Sequence, residues 1–266
     1  MKLIVFLAAC SAAVNAVAAC PPVPEESCWI EEFDSDTVDT HIWSRVRRGG
    51  ADWNRHMSDL DSLVCVEGGI LNLRGIASPA DSGGTNPEVL TGGLQTSVRR
   101  GFGYGRLEVR ARLQGAASAW PAIWMMPVDA VQWPYGGEID IIERLNYDDF
   151  VYMTCHTAYT QIMERDDSLK GSTAPIDRDG WNVYGLEHYR DSLIWTVNGV
   201  SAHRYLRQEG APAEQWPFDR DYYLILSMQL GGSWVGPVCV DDLPVSLQID
   251  WIRFTPASVF PQPADR

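Results

Sequence analysis

The stretch Pro134-Tyr135-Gly136-Gly137-Glu138-Ile139-Asp140-Ile141-Ile142-Glu143-Arg144 decides how the chain is read. As a helix it fails. At ~100° per residue the three acids fall near ~0°, ~200° and ~140°, so they share no face, and Gly136-Gly137 is a poor helix start. As a strand, Glu138 and Asp140 share one face while Ile139 and Ile141 take the other. Ile141-Ile142 then breaks the alternation. An unbroken strand would drive Glu143 into an apolar core, which costs several kcal/mol for an isolated charge. A β-bulge at Ile141-Ile142 returns Glu143 to the acid face. The apolar residues therefore imply the bulge, and the bulge implies three carboxylates in line.

Such a row opposes folding, because like charges repel, and one member should hold a proton at neutral pH. An ionised carboxylate beside a protonated one is what glycosidic-bond cleavage requires. Four strand steps of ~3.3 Å set the outer α-carbons ~13 Å apart, and two glutamate arms of roughly 4 Å leave about 5 Å between them. That spacing belongs to the retaining mechanism, with Asp140 between the pair able to share a proton. Calcium also gathers carboxylates, but its loops use Asp, Asn and Gly in turns rather than an Ile-spaced strand.

Working outward, the strand pattern continues on both sides. Residues 63–66, 70–74, 105–113, 152–156, 182–188, 193–197, 222–229 and 247–255 are short, rich in β-branched and aromatic residues, and bounded by Gly, Pro, Asp or Asn. Arg106 to Leu113 alternates strictly, and Val197-Asn198-Gly199-Val200 carries an Asn-Gly hairpin turn. With no long helical period, the chain is expected to be all-β, one antiparallel sandwich over residues 28–257 with a tail at 258–266.

Of 266 residues, 45% are hydrophobic, enough for one sizeable core and against disorder. The net charge is −14 and the lysines are only Lys2 and Lys170, which excludes a phosphate-backbone binder and disfavours an anionic membrane surface. Eleven tryptophans exceed what core packing needs and suggest flat faces for sugar rings.

Lys2 and the apolar run to Ala19 read as a secretory leader, residues 1–19, followed by a short Pro-rich linker, 20–27. Ser11 and Asn15 interrupt the run, so a transmembrane span is not expected. Val17-Ala18-Ala19-Cys20 resembles a lipoprotein box, so the leader ends either by simple cleavage near Ala18 or Ala19 or with a lipid on Cys20. The expected location is outside the cytoplasm, as a periplasmic, cell-surface or extracellular monomer. Cys65, Cys155 and Cys239 each sit in an apolar run and are expected in the core.

At Glu138-Ile139-Asp140-Ile141-Ile142-Glu143 the chain resembles glycoside hydrolase family 16, in the bulged E-x-D-x-x-E form of its laminarinase-like and agarase-like members. The likeness extends to residues 102–111, 120–127, 223–226, 231–234 and 249–253, and so covers nearly all of the chain after the leader. It implies a jelly roll with an open cleft on the concave sheet. It also implies double displacement with Glu138 as nucleophile, Glu143 as acid/base and Asp140 as helper, and no cofactor for catalysis.

The resemblance places Trp120 and Trp133 as cleft aromatics, His156 as a cleft histidine, and Gln229 and Trp234 on elements that reach the cleft. Trp124 matches as well, with core packing as its competing role. The loop Trp53, Asn54, Arg55 and His56 is a polar-aromatic cluster, of which Trp53, Asn54 and Arg55 are counted with the substrate-binding residues. Glu32, Gly68 and Asp250 fall near a structural calcium site of many members.

Departures from the glucan-cleaving pattern are Thr157, His188, Ser227 and Gln229. Residues 48–58 and 143–148 look more like gut-bacterial members that attack mucin O-glycans and poly-N-acetyllactosamine. The resemblance thus implies an endo-β-glycosidase leaning to β-1,4-galactosyl bonds, with an endo-β-1,3(4)-glucanase as the near alternative. A non-catalytic lectin-like module is the alternative of another class; it would have no reason to keep both outer acids.

Overall fold

The computed structural model describes residues 28–78, 88–96, 100–165 and 167–260. The leader 1–19, the linker 20–27 with Cys20, and the last six residues of the tail lie outside these. Among the described residues sixteen strands follow one another: β1 (Trp29–Glu31), β2 (Trp43–Arg45), β3 (Val64–Glu67), β4 (Ile70–Ala77), β5 (Val89–Thr91), β6 (Gly93–Thr96), β7 (Gly105–Leu113), β8 (Ala122–Pro127), β9 (Glu138–Glu143), β10 (Phe150–His156), β11 (Gly171–Pro175), β12 (Asn182–His188), β13 (Ser192–Val197), β14 (Val200–Leu206), β15 (Tyr222–Ser227) and β16 (Val245–Pro256). One four-residue helix, α1 (Ala158–Gln161), follows β10.

Two antiparallel sheets result. One runs β14-β13-β12-β7-β16-β4-β3, with β1 beside β16 and β5 beside β4; the other runs β11-β10-β9-β8-β15-β6-β2. This is the all-β sandwich expected. β7 and β12 appear with the expected bounds, and Asn198 and Gly199 both take positive φ in the β13–β14 turn. The expected strand 222–229 stops at Ser227, so Gln229 lies just past it.

Between the sheets, alternation sorts the side chains. Val151, Met153 and Cys155 of β10, Ile123 and Met125 of β8, and Leu224 and Leu226 of β15 join the core. Each such aliphatic contributes ~1.5–3 kcal/mol by burial. Their neighbours Thr154, His156, Ala122, Trp124, Met126, Tyr223, Ile225 and Ser227 face away, into a cavity on the other side of the same sheet. Of the cysteines expected inside, only Cys155 is. Cys65 and Cys239 are half-buried, because Cys65 sits on the edge strand β3 and Cys239 in the loop before β16. Among the described residues, no helix is long and apolar enough to cross a membrane.

Candidate active site

β9 departs from alternation as its composition demands. Against β8, Glu143 pairs with Ala122 and Ile142 with Ile123, but Asp140 pairs with Trp124, leaving Ile141 as the extra residue; the register against β10 shifts at the same place. Ile139, Ile141 and Ile142 all enter the core, while Glu138, Asp140 and Glu143 all line the ~720 Å³ cavity on the opposite face. The bulge thus forms where the sequence requires it.

The strand's entry and rear are also specified. Gly137 has φ +75°, and a Cβ there would lie 2.8 Å from a Phe218 ring carbon, so only glycine can turn the chain into Glu138 at this depth. From the other sheet, fully buried Trp195 crosses the core and donates its indole N–H to the Asp140 backbone carbonyl at 2.8 Å. That bond holds a carbonyl inside the irregular stretch of β9 and links the two sheets behind the acids.

Each outer acid accepts an indole N–H: Trp133 donates to Glu138 at 2.6 Å and Trp120 to Glu143 at 2.8 Å. His156 Nε2 lies 3.1 Å from an Asp140 carboxylate oxygen. Gln161 Nε2 in α1 lies 3.0 Å from His156 Nδ1 and so positions the ring beside Asp140. Burial pushes Glu138 up to about 7, with the Asp140 charge adding to the effect. Burial likewise raises Asp140 to about 7. Burial first, and then the Asp140 charge, hold Glu143 well above the usual carboxylate range. The row therefore keeps protons at neutral pH, and the three titrate as a unit.

A test follows from the shared dependence on Asp140. Its charge raises both outer acids. Asp140→Asn should therefore lower both and move both limbs of a bell-shaped kcat/KM profile to lower pH, with the peak reduced roughly 10²-fold. A profile that falls in height without moving would show that Asp140 does not set these protonation states.

Glu138, Asp140 and His156 bring one ligand atom each within 4.8 Å of one another, the arrangement that a cation could use. Of the residues expected near a calcium site, Asp250 forms an ion pair with Arg110, Glu32 is exposed, and Gly68 takes positive φ in the turn between β3 and β4.

Of the remaining expected residues, Trp120, Trp133, His156, Trp53, Gln229 and Trp234 line the cavity, and so does Trp124, stacked edge-on against Trp53 at 4.7 Å. Asn54 and Arg55 are not among the lining residues. Arg55 is held in an ion pair by Asp52, and Asn54 packs its amide against Gly49. Asp52 also accepts from the Ser233 backbone N–H at 2.7 Å, tying the loop of Trp53 to the loop of Trp234. Two departures from the glucanase pattern do not line the cavity. His188 is buried against the Phe218 carbonyl at 2.7 Å, and Thr157 is the buried N-cap of α1. Ser227 and Gln229 do face the cavity. Tyr223 and Ile225 were reachable by period-two counting along β15; Gln161 and Trp195 carry no local signal, since only tertiary packing brings them to β9.

A sandwich of this kind, with buried in-line acids in an indole-lined groove, is a carbohydrate-cleaving enzyme built on a jelly roll. A family model described as XgeA-like, catalytic GH16 domain, matches residues 109–179. The chain is 33% identical over 232 residues to a keratan-sulfate endo-1,4-beta-galactosidase of Sphingobacterium multivorum, covering 86% of this chain but only about half, 54%, of that protein. It is 32% identical over 248 residues to a beta-glucanase of Rhodothermus marinus, covering 86% of this chain and 84% of that one. A solved structure from work on endo-acting O-glycanases with which prominent members of the human gut microbiota initiate mucin breakdown superposes with TM-score 0.74 at 30% identity, covering 85% of this chain and 98% of the other. The chain belongs to glycoside hydrolase family 16, whose members retain anomeric configuration and need no catalytic cofactor.

Proposed function

We propose that this enzyme is an exported endo-β-glycosidase that cleaves β-1,4-galactosyl bonds within N-acetyllactosamine-type glycans such as keratan or mucin O-glycan chains. Glu138 attacks the anomeric carbon while Glu143 protonates the departing oxygen. Water, deprotonated by Glu143, then hydrolyses the glycosyl–Glu138 ester. Asp140 lies between them and moves the shared proton as charge passes from one to the other. The observation that carries the mechanism is the bulge that turns Glu143 to the face of Glu138. It also argues against a binding module, which would gain nothing from burying three acids.

The substrate class is supported by the likeness to the galactosidase and the O-glycanase structure, and by Ser227 and Gln229 facing the cavity. The likeness to the Rhodothermus enzyme favours a β-1,3(4)-glucan instead. A product screen over keratan, mucin O-glycans, laminarin and mixed-linkage glucan separates the two. The expected result is internal cleavage of keratan or mucin glycans with new reducing-end galactose, at kcat/KM at least tenfold above laminarin. Preference for laminarin would overturn the galactosyl reading.

A further inference from the structure

We propose that Gln229 selects a 2-acetamido sugar on the leaving-group side of the scissile bond. The inference rests on the mechanism and substrate class proposed above. Gln229 is 2% exposed yet lines the catalytic cavity, and its side-chain oxygen Oε1 is buried with no hydrogen-bond partner. Its amide nitrogen is turned to the Gly231 carbonyl at 3.5 Å, which leaves the oxygen as the end available to a ligand. A buried acceptor without a donor costs about 1–3 kcal/mol, so a ligand that supplies the donor relieves that penalty.

The position identifies the side of the cleft. Ala122 pairs with both Glu143 and Ser227, and two residues further along these strands Trp120 donates its backbone N–H to the Gln229 carbonyl at 2.9 Å. Trp120 is also the residue whose indole holds Glu143. Gln229 thus belongs to the end of the groove occupied by the proton donor, where the departing sugar lies.

The surroundings identify the chemistry. Trp120 and Trp234 meet at 90° with centroids 5.4 Å apart, and Tyr152 packs on Trp234 at 5.1 Å. Trp234 remains 46% exposed, so the corner is open to a ligand. An apolar corner in the same cavity as the unmet Gln229 acceptor complements an acetamido group, which offers a methyl and an N–H. A hydroxyl satisfies the acceptor but leaves the corner empty. A site built around such a donor discriminates strongly against analogues that do not fit it.

The test uses two oligosaccharides with the same β-1,4-galactosyl bond, identical except that the leaving sugar is N-acetylglucosamine in one and glucose in the other. The wild-type enzyme should favour the acetamido substrate at least tenfold in kcat/KM. Gln229→Met, which keeps the length and removes the acceptor, should reduce the preference to within about twofold, and Gln229→Glu, which keeps an acceptor, should preserve most of it. Loss of folded protein cancels in these ratios. Equal wild-type rates, or an undiminished preference in Gln229→Met, would overturn the assignment while galactosyl cleavage stands. Cleavage of laminarin with neither galactoside turned over would remove the substrate reading and this inference with it.

Discussion

Glu138→Gln should reduce turnover at least ~10⁴-fold and, at the same time, make the protein more resistant to heat at pH 8. The first effect follows from chemistry, since an amide cannot form the glycosyl ester. The second follows from burial. The folded protein holds Glu138 at about 7, above the ordinary value of 4.5. Between those values the folded state binds more protons than the unfolded one, so stability falls as pH rises through the window and the penalty is complete above it. A neutral amide escapes that penalty. The gain at pH 8 is on the order of 1–3 kcal/mol, or about 5 °C in Tm for a domain of this size, and it should vanish near pH 4. The Trp133 N–H retains an acceptor in the amide oxygen, so glycan binding should survive. Thermal melts at both pH values, with isothermal titration of an oligosaccharide substrate, check the pattern. Near-normal turnover would remove Glu138 from the nucleophile role.

The second large effect depends on the leaving group. Glu143→Gln should reduce kcat/KM by about 10²–10⁴-fold on natural glycans, where the departing alkoxide needs a proton. On an aryl β-glycoside with an acidic phenol as leaving group, the first step should be little affected, because a phenolate leaves without protonation. The second step then lacks its base, so the glycosyl–Glu138 ester should accumulate after a burst of phenol. Azide, a nucleophile that needs no deprotonation, should restore turnover and release the β-glycosyl azide. Equal losses on glycan and aryl substrates, with no azide rescue, would show that Glu143 is not the acid/base.

The acid row was legible in the sequence because its apolar neighbours left little choice. Ile139, Ile141 and Ile142 must all be buried, and only a bulge buries them without taking Glu143 along. The sandwich was legible for the same reason, in the alternation of β7 and the Asn198-Gly199 turn. Short edge strands such as β2 and β5 were not, since three residues carry too little periodicity. The loop at 53–55 shows a different limit. Its composition suggested one binding cluster, but the ion pair of Asp52 with Arg55 and the packing of Asn54 on Gly49 turn two of the three away from the cavity. Similarly, Thr157 and His188 depart from the glucanase pattern for reasons of capping and packing, which residue identity alone does not reveal.

The bond from Trp195 to the Asp140 carbonyl has a consequence for how this enzyme tolerates change. Because the reactive row is braced from the rear, part of its alignment is set independently of the Trp120 and Trp133 indoles that hold the outer acids from the groove side. Groove segments that make no bond to the acids, such as those of Trp53 and Trp234, can be exchanged or lengthened to fit other sugars while the chemistry stays intact. The vulnerable point lies instead on the far layer, where a conservative indole-to-phenyl replacement, more than 50 positions away in the chain, would loosen the acids without touching the groove.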